Sequence, residues 1–172
     1  MKLRTVIPLL VLGLAAGCSE AASGSTPEST AETPAVLIGR MDASVVELAA
    51  RPEHGAAALE LQQLLIGIAG APGLAAVTRT PDEAHLLAAT LYSRALSGED
   101  FDTLVRSFTD DRYPGLYELT AGGEGGPESM PRSDMVRGVG DLAWRLEVGE
   151  VGVVPYDPEV SPLGFHVVKR SR

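Results

Sequence analysis

The 172-residue chain is poor in the residues that build metal centres, disulfide frameworks and nucleic-acid surfaces. It has one cysteine, and a single thiol excludes a disulfide framework and any zinc or iron–sulfur site made of clustered cysteines. Its three histidines argue against a site built on histidine alone. A net charge of −9 and a pI near 4.8 argue against DNA or RNA as partners, because proteins neutralise phosphates with Lys and Arg. We therefore predict neither a metal site nor a nucleic-acid partner.

The chain also begins without an apolar run long enough to cross a bilayer. Residues 6–16 carry no charge, but they are too few to span about 30 Å of hydrocarbon as a helix. Lys2 and Arg4 precede them, which is typical of a secretory signal peptide.

This segment ends in a run from Leu14 to Cys18 that resembles the bacterial lipobox, although Ala15 stands where the pattern more often has Leu. The resemblance implies cleavage before Cys18 and acylation of this cysteine. Ser19, rather than Asp, follows it, which resembles the outer-membrane sorting pattern of Gram-negative cells. We expect a lipid-anchored protein of the cell envelope, in the outer membrane and facing the periplasm. A signal peptide cleaved without lipidation, or a leftover cysteine, is the alternative.

The chain divides by composition into four segments. After the signal peptide, residues 1–17, small polar residues and prolines fill 18–35 and predict a flexible tether. Residues 36–58 contain a short apolar run and a possible helix after Asp42, and either complete the domain or precede it as a small helical segment. The remaining residues, 59–172, have the length of an ordinary single domain.

Two helix starts are the clearest local signals. Residues 80–83, Thr-Pro-Asp-Glu, form a capping box with proline at the first helical position, and an apolar stripe follows until Gly98. A second helix is predicted after Asp100, where Phe101, Leu104, Val105 and Phe108 recur at helical spacing. A third, weaker helix is expected over 135–146.

Strands are predicted around these helices. Residues 59–66 alternate and then become continuously apolar, which fits a strand without excluding a helix. Short strands are expected over 116–119, 151–154 and 164–169, and the Gly-rich stretch 121–127 is expected to be a loop. The order strand, helix, helix, strand, helix, strand, strand predicts an α+β domain with helices around a small, mostly antiparallel, four-stranded sheet.

Three stretches in this order resemble the parvulin family of peptidyl-prolyl isomerases. They run from Ser97 to Asp111, from Trp144 to Val151 and from Gly164 to Lys169, and the resemblance covers about residues 59–172. It implies a parvulin-like fold and an activity that needs no cofactor. The implied partners are proline-containing segments of unfolded or partly folded proteins.

The family's polar site positions carry over in part. His166 matches the second of the two histidines in the family's sheet, and Asp111 matches the Cys-or-Asp position that faces the substrate carbonyl. Gln63 stands where the first histidine is expected. The resemblance therefore implies a paired-histidine network in which an amide replaces one imidazole. A buried structural histidine and a turn aspartate are the plain alternatives for His166 and Asp111.

The family's proline pocket also carries over with changes. Met135 matches the pocket methionine, for which a plain core methionine is the alternative, and Val139 stands where the family usually has Phe. Leu116 is the best match for the pocket leucine, in a segment that departs from the family's Gly-Asp-Leu-Gly turn. We expect a shallower pocket formed by these three residues.

We therefore expect an extracytoplasmic peptidyl-prolyl isomerase that assists the folding of secreted or envelope proteins. Gln63 and Val139 support a second hypothesis, a degenerate parvulin domain that binds extended chain as a chaperone without turnover. A third is an envelope lipoprotein whose fold only looks similar, and it predicts no groove beside His166. The acidic composition, without an obvious Lys or Arg cluster, argues against a pocket that binds a phosphate group.

Overall fold

The protein is described from a computed structural model, which covers residues 32–123 and 126–172. The predicted signal peptide, the lipidation residue Cys18 and most of the predicted tether lie outside the described residues. Within those two ranges, no helix is long and apolar enough to cross a membrane.

The described chain folds into helices and strands in an α+β arrangement, as predicted. In chain order the elements are α1 (Pro34–Ala50), β1 (Ala58–Gly67), α2 (Pro81–Leu96), α3 (Phe101–Phe108), β2 (Leu116–Thr120), β3 (Ser129–Pro131), one turn of 3-10 helix (Arg132–Asp134), α4 (Arg137–Ala143), β4 (Val151–Val154) and β5 (Gly164–Arg170).

The sheet has five strands in the order β3-β2-β1-β5-β4, one more than predicted. The pairs β1–β2, β1–β5 and β4–β5 are antiparallel, and β3 lies parallel to β2 at the edge. The extra strand is β3, in a region whose only sequence signal was its glycines. Three residues are too few to show an alternating pattern, and proline in a strand is tolerated only at an edge such as this. Pairing with β2, rather than local preference, therefore makes this segment a strand.

Both strong helix starts are confirmed. The Thr80 N–H donates to Glu83 Oε2 at 2.7 Å, and the Glu83 N–H donates to Thr80 Oγ1 at 3.2 Å, which completes the capping box of α2. Asp100 Oδ1 accepts from the Thr103 N–H at 2.9 Å at the start of α3. The third helix, α4, is shorter than the expected 135–146, because it begins after Met135 and ends before Trp144.

The N-terminal helix begins earlier than predicted. α1 starts at Pro34, well before Asp42, and takes in the last two residues of the segment predicted as a tether. Proline is favoured at the first helical position, which explains the start. Met41 is completely buried and Leu48 is nearly so, and α1 lies against α2 and β4. The described residues from Glu32 to Arg172 belong to one compact unit, and α1 is part of it.

The sheet separates two apolar clusters because successive side chains of a strand point to opposite faces. On what we call the helix face, Leu64 and Ile66 of β1 pack with residues of α1, α2 and α3. On the opposite side, the α4 face, Leu59 and Leu61 of β1 pack with residues of α4 and with Trp144. The helix face is thus covered by three helices, and the α4 face by one short helix.

Candidate functional site

Strand register brings Gln63 and His166 together on the α4 face. His166 of β5 lies directly opposite Leu65 of β1, and Gln63 is two residues before Leu65, so the three side chains share one face. Gln63 and His166 are both buried, and the distance from His166 Nδ1 to Gln63 Oε1 is 3.2 Å.

The loop after α3 brings Asp111 to the same place. The pairing between β1 and β2 ends at Gln62. Beyond this residue, the loop after α3 lies beside β1 in place of β2. The Gln63 N–H donates to the Gly115 carbonyl at 2.8 Å, and the Leu65 N–H donates to the Thr109 hydroxyl at 3.2 Å. These contacts fix the loop against the strand, and they place Asp111 beside the Gln63 side chain.

Four side chains form a hydrogen-bonded group that we call the polar network: His166, Gln63, Asp111 and Tyr117. Asp111 Oδ2 accepts from Gln63 Nε2 and from the Tyr117 hydroxyl, each at 3.1 Å. A carboxylate only accepts, so the Gln63 amide nitrogen faces Asp111 and its oxygen faces His166. The proton in the bond between Gln63 and His166 therefore belongs to His166 Nδ1.

The two ionisable rings of the network are held neutral by their surroundings. Burial lowers the pKa of His166 to about 4, and the negative charge of Asp111 opposes this effect only in part. Burial and the nearby Asp111 carboxylate raise the pKa of Tyr117, so its hydroxyl stays a hydrogen-bond donor at neutral pH. The Nε2 atom of the His166 ring is buried and has no hydrogen-bond partner among the described residues. The network therefore works as a set of neutral dipoles around one carboxylate.

A cavity of about 570 Å³ opens beside the polar network. All four network residues contribute to its wall. The apolar part of the wall consists mainly of Leu65, Met130, Met135, Val136 and Leu163. A concave site of this size, with an apolar part and several convergent polar groups, is typical of a ligand-binding pocket. It can hold an apolar ring and present polar groups to an attached amide.

Of the three pocket residues predicted from the sequence, the structure places one in the cavity wall and two outside it. Met135 lies in the cavity wall. Val139 is completely buried in the apolar cluster of the α4 face, and the structure does not place it in this wall. Leu116 is also outside the wall, and about half of its surface is exposed. It pairs with Gln62, whereas the next residue, Tyr117, pairs with Leu61 and so faces the cavity side.

Sequence reasoning missed most of the other wall residues, among them Tyr117, Met130 and Leu163. Tyr117 could have been found, because it lies two residues before the apolar Leu119 and alternate residues of a strand share a face. Met130 belongs to the short strand β3, and Leu163 lies in the loop before β5, and neither position has a periodic signal.

A metal ion in a protein is bound by several converging side chains. In residues 32–123 and 126–172, no three His, Cys, Asp or Glu side chains are gathered as a metal ion would require.

The chain matches no protein-family model and no curated protein. Its structure, however, is similar to solved structures. Peptidyl-prolyl isomerase ESS1 from Candida albicans matches it with a TM-score of 0.54 and 18% identity, over 78% of this chain and 74% of that chain. TbPIN1, a solution structure, matches with a TM-score of 0.53 and 18% identity, over 69% of this chain and 100% of that chain. The chain has a parvulin-like fold. This confirms the fold that the sequence resemblance implied.

The parvulin-like fold explains how distant residues reach one site. Gln63 and His166 lie on neighbouring central strands, and Asp111 comes from the loop that replaces β2 beside the end of β1. Residues far apart in the chain are thus placed by strand register and by one loop.

Proposed function

We propose that the protein is a peptidyl-prolyl cis–trans isomerase that acts on proline-containing segments of unfolded or partly folded proteins. The observation that carries the proposal is the polar network beside the apolar part of one cavity, on a parvulin-like fold. One structure with the same fold is named a peptidyl-prolyl isomerase, which supports the assignment.

The reaction requires that the site favour a twisted amide over a planar one. The barrier to rotation is about 20 kcal/mol, because the amide has partial double-bond character. Leu65, Met130 and Met135 offer an apolar surface for the prolyl ring, away from water that would otherwise donate hydrogen bonds to the amide oxygen. Such hydrogen bonds stabilise the planar amide, so a bound segment that loses some of them to this apolar surface has a lower barrier than in solution.

Asp111 supplies the electrostatic part of this mechanism. The carbonyl oxygen of a planar amide carries more negative charge than that of a twisted amide, because conjugation is lost on twisting. A fixed carboxylate near this oxygen therefore disfavours the planar state more than the twisted state. No covalent bond breaks and no proton is transferred, so a neutral His166 is compatible with the reaction.

Gln63 and Tyr117 position Asp111. Both donate to the same carboxylate oxygen, and Gln63 also accepts from His166. The glutamine was the main argument for a degenerate domain without turnover. Its amide instead bonds to both neighbours, which supports retained activity. The cavity with His166 in its wall also argues against a protein that only looks similar.

We further propose that the protein assists folding outside the cytoplasm, held by acylated Cys18 in the outer membrane and facing the periplasm. The lipobox-like run and the charged start of the chain support this location. Metabolic labelling with a radioactive fatty acid tests it. We expect label in the unmodified chain and none in Cys18→Ser, and label in neither would contradict the anchor.

Exchange NMR of an unphosphorylated Ala-Pro peptide tests the isomerase itself. We expect the full chain to accelerate cis–trans exchange, and Asp111→Ala to lose about tenfold or more of this acceleration, as for other electrostatic groups in active sites. Glu47→Gln serves as the control, because Glu47 lies on α1 and outside the cavity wall. No acceleration by the unmodified chain, with a gain in Gln63→His, would instead indicate a binding module that has lost turnover.

A further inference from the structure

The carboxylate at the centre of the polar network forms its hydrogen bonds with neutral groups only, among the residues that the structure describes. Asp111 accepts from Gln63, from Tyr117 and from the backbone N–H of Arg112, and all three donors are neutral. No ion pair joins Asp111 to a cation in the described part of the chain. Its negative charge is therefore available to a ligand.

The neighbouring aspartate differs in this respect. Asp110 forms an ion pair with Arg79, and this guanidinium also donates to the Gly67 carbonyl at 3.0 Å. Arg79 is thus used within the fold, and it is not available to bind an anionic group of a ligand. Asp110 and Arg79 together add no net charge to the cavity.

Two exposed residues of opposite charge complete the charged part of the wall. Asp134 accepts from the Ser133 hydroxyl at 3.1 Å and forms no ion pair in the described ranges. Arg112 is the one positively charged residue among those that line this cavity. Once Asp110 is paired with Arg79, two carboxylates face one guanidinium, so the cavity carries a net negative charge.

The polar network has hydrogen-bond acceptors to spare but no free donor among its side chains. The donors of Gln63 and Tyr117 are directed at Asp111. His166 is completely buried in the cavity wall, and because its proton is on Nδ1, its unpartnered Nε2 is an acceptor. Proline brings no N–H of its own. The acceptor that the network exposes to a ligand is the Asp111 carboxylate, and donors on the residues beside the proline complement it.

We propose that the cavity selects proline segments with a lysine or arginine next to the proline, and rejects acidic or phosphorylated residues there. This inference rests on the proposed function and names its substrate class. Asp111 and Asp134 attract the cation, and Arg112 weakens this attraction. The same two carboxylates repel an anionic side chain, which adds to the selectivity.

The test compares Ala-Xaa-Pro-Ala peptides with Lys, Ala or Glu at Xaa, using the full chain. Shift titration gives the Kd of each peptide, and exchange NMR gives its isomerisation rate. We expect affinity to fall from Lys to Ala to Glu by roughly two- to fivefold per step at low salt, as for exposed ion pairs. High salt should reduce the difference, because it screens charges near the surface.

Three variants identify the residues responsible. Asp134→Asn should reduce the ratio of Lys to Glu affinity, and Arg112→Gln should increase it. Glu47→Gln removes one negative charge outside the cavity and should leave the ratio unchanged.

The outcomes separate this inference from the proposed function. Turnover of the Ala peptide without a preference for Lys over Glu overturns the inference and leaves the isomerase standing. Preference for Lys in binding without any turnover supports the inference and overturns the isomerase. Tighter binding of the Glu peptide, or no binding of any peptide, overturns the inference.

Discussion

The two faces of the sheet differ in where they bury polar side chains. The buried polar residues on the strands are Gln63, His166 and Arg170, and by register all three point to the α4 face. The described strand residues of the helix face bury only apolar side chains there. Three helices cover that face, whereas α4 has seven residues and leaves room for the cavity.

This difference shows how one small sheet can serve stability and function separately. A face that is fully covered gains stability from apolar burial, at about 25 cal/mol per Å². A face that is covered only in part can keep a polar network beside an open cavity, and burial then adjusts the pKa values of its members. Substitutions on the two faces should therefore have different consequences.

The largest effect is expected from breaking the helix face. Leu91 and Leu96 both belong to α2, but Leu91 is completely buried and Leu96 is 52% exposed. Leu91→Ala should lower the free energy of unfolding by about 2–5 kcal/mol, because it leaves a cavity in the core. Leu96→Ala should change it by less than about 1 kcal/mol. Urea unfolding measures both, and equal losses would contradict the assignment of this face.

An intermediate effect is expected from the pH dependence of the α4 face. The folded pKa of His166, about 4, is below its ordinary value of 6.5. Between these two pH values the histidine of the unfolded chain is protonated, whereas His166 of the folded chain is not. The free energy of unfolding therefore falls as the pH drops from 6.5 towards 4. Between pH 7 and pH 5 we expect a loss of about 2 kcal/mol from this group.

Urea unfolding of the unmodified protein and of His166→Gln at both pH values measures this contribution. The variant should lose less stability than the unmodified protein between pH 7 and pH 5. An equal loss in both proteins would mean that His166 is not the group responsible.

The smallest effect is expected within the polar network. Tyr117→Phe removes one of the hydrogen bonds to Asp111, and a bond of this kind contributes about 1 kcal/mol. The isomerisation rate should fall roughly fivefold, and the free energy of unfolding should fall by about 1 kcal/mol. Tyr113→Phe is the matched control, because its hydroxyl bonds to Asp102 and Arg106 outside the cavity wall. A similar fall in both variants would argue against positioning by Tyr117.

The helix face could be predicted from the sequence more fully than the α4 face. The capping box at Thr80 and the N-cap at Asp100 are local signals, and local hydrogen bonds enforce them in the structure. The start of α1 at Pro34 was placed too late, because the apolar run after it resembles a strand as much as a helix.

The site depended on contacts that no local pattern encodes. Gln63, Asp111 and His166 were found through the family resemblance, and register brings them together. Leu116 was selected in place of Tyr117, because the departure from the family's turn left the register of β2 unknown. The pairing of Leu61 with Tyr117 resolves that register only in three dimensions.

The change of partner along β1 has a consequence for the order of the site before a ligand binds. Beyond Gln62 the strand no longer pairs with β2, but the Asp110 N–H donates to the Leu65 carbonyl at 2.8 Å and the Gln63 N–H donates to the Gly115 carbonyl at 2.8 Å. These two backbone bonds lie on either side of Asp111 in the chain. The loop that carries Asp111 is therefore anchored at both ends, and a peptide meets a carboxylate that is already in place. Binding then costs less conformational entropy than it would if the loop were ordered only by the ligand.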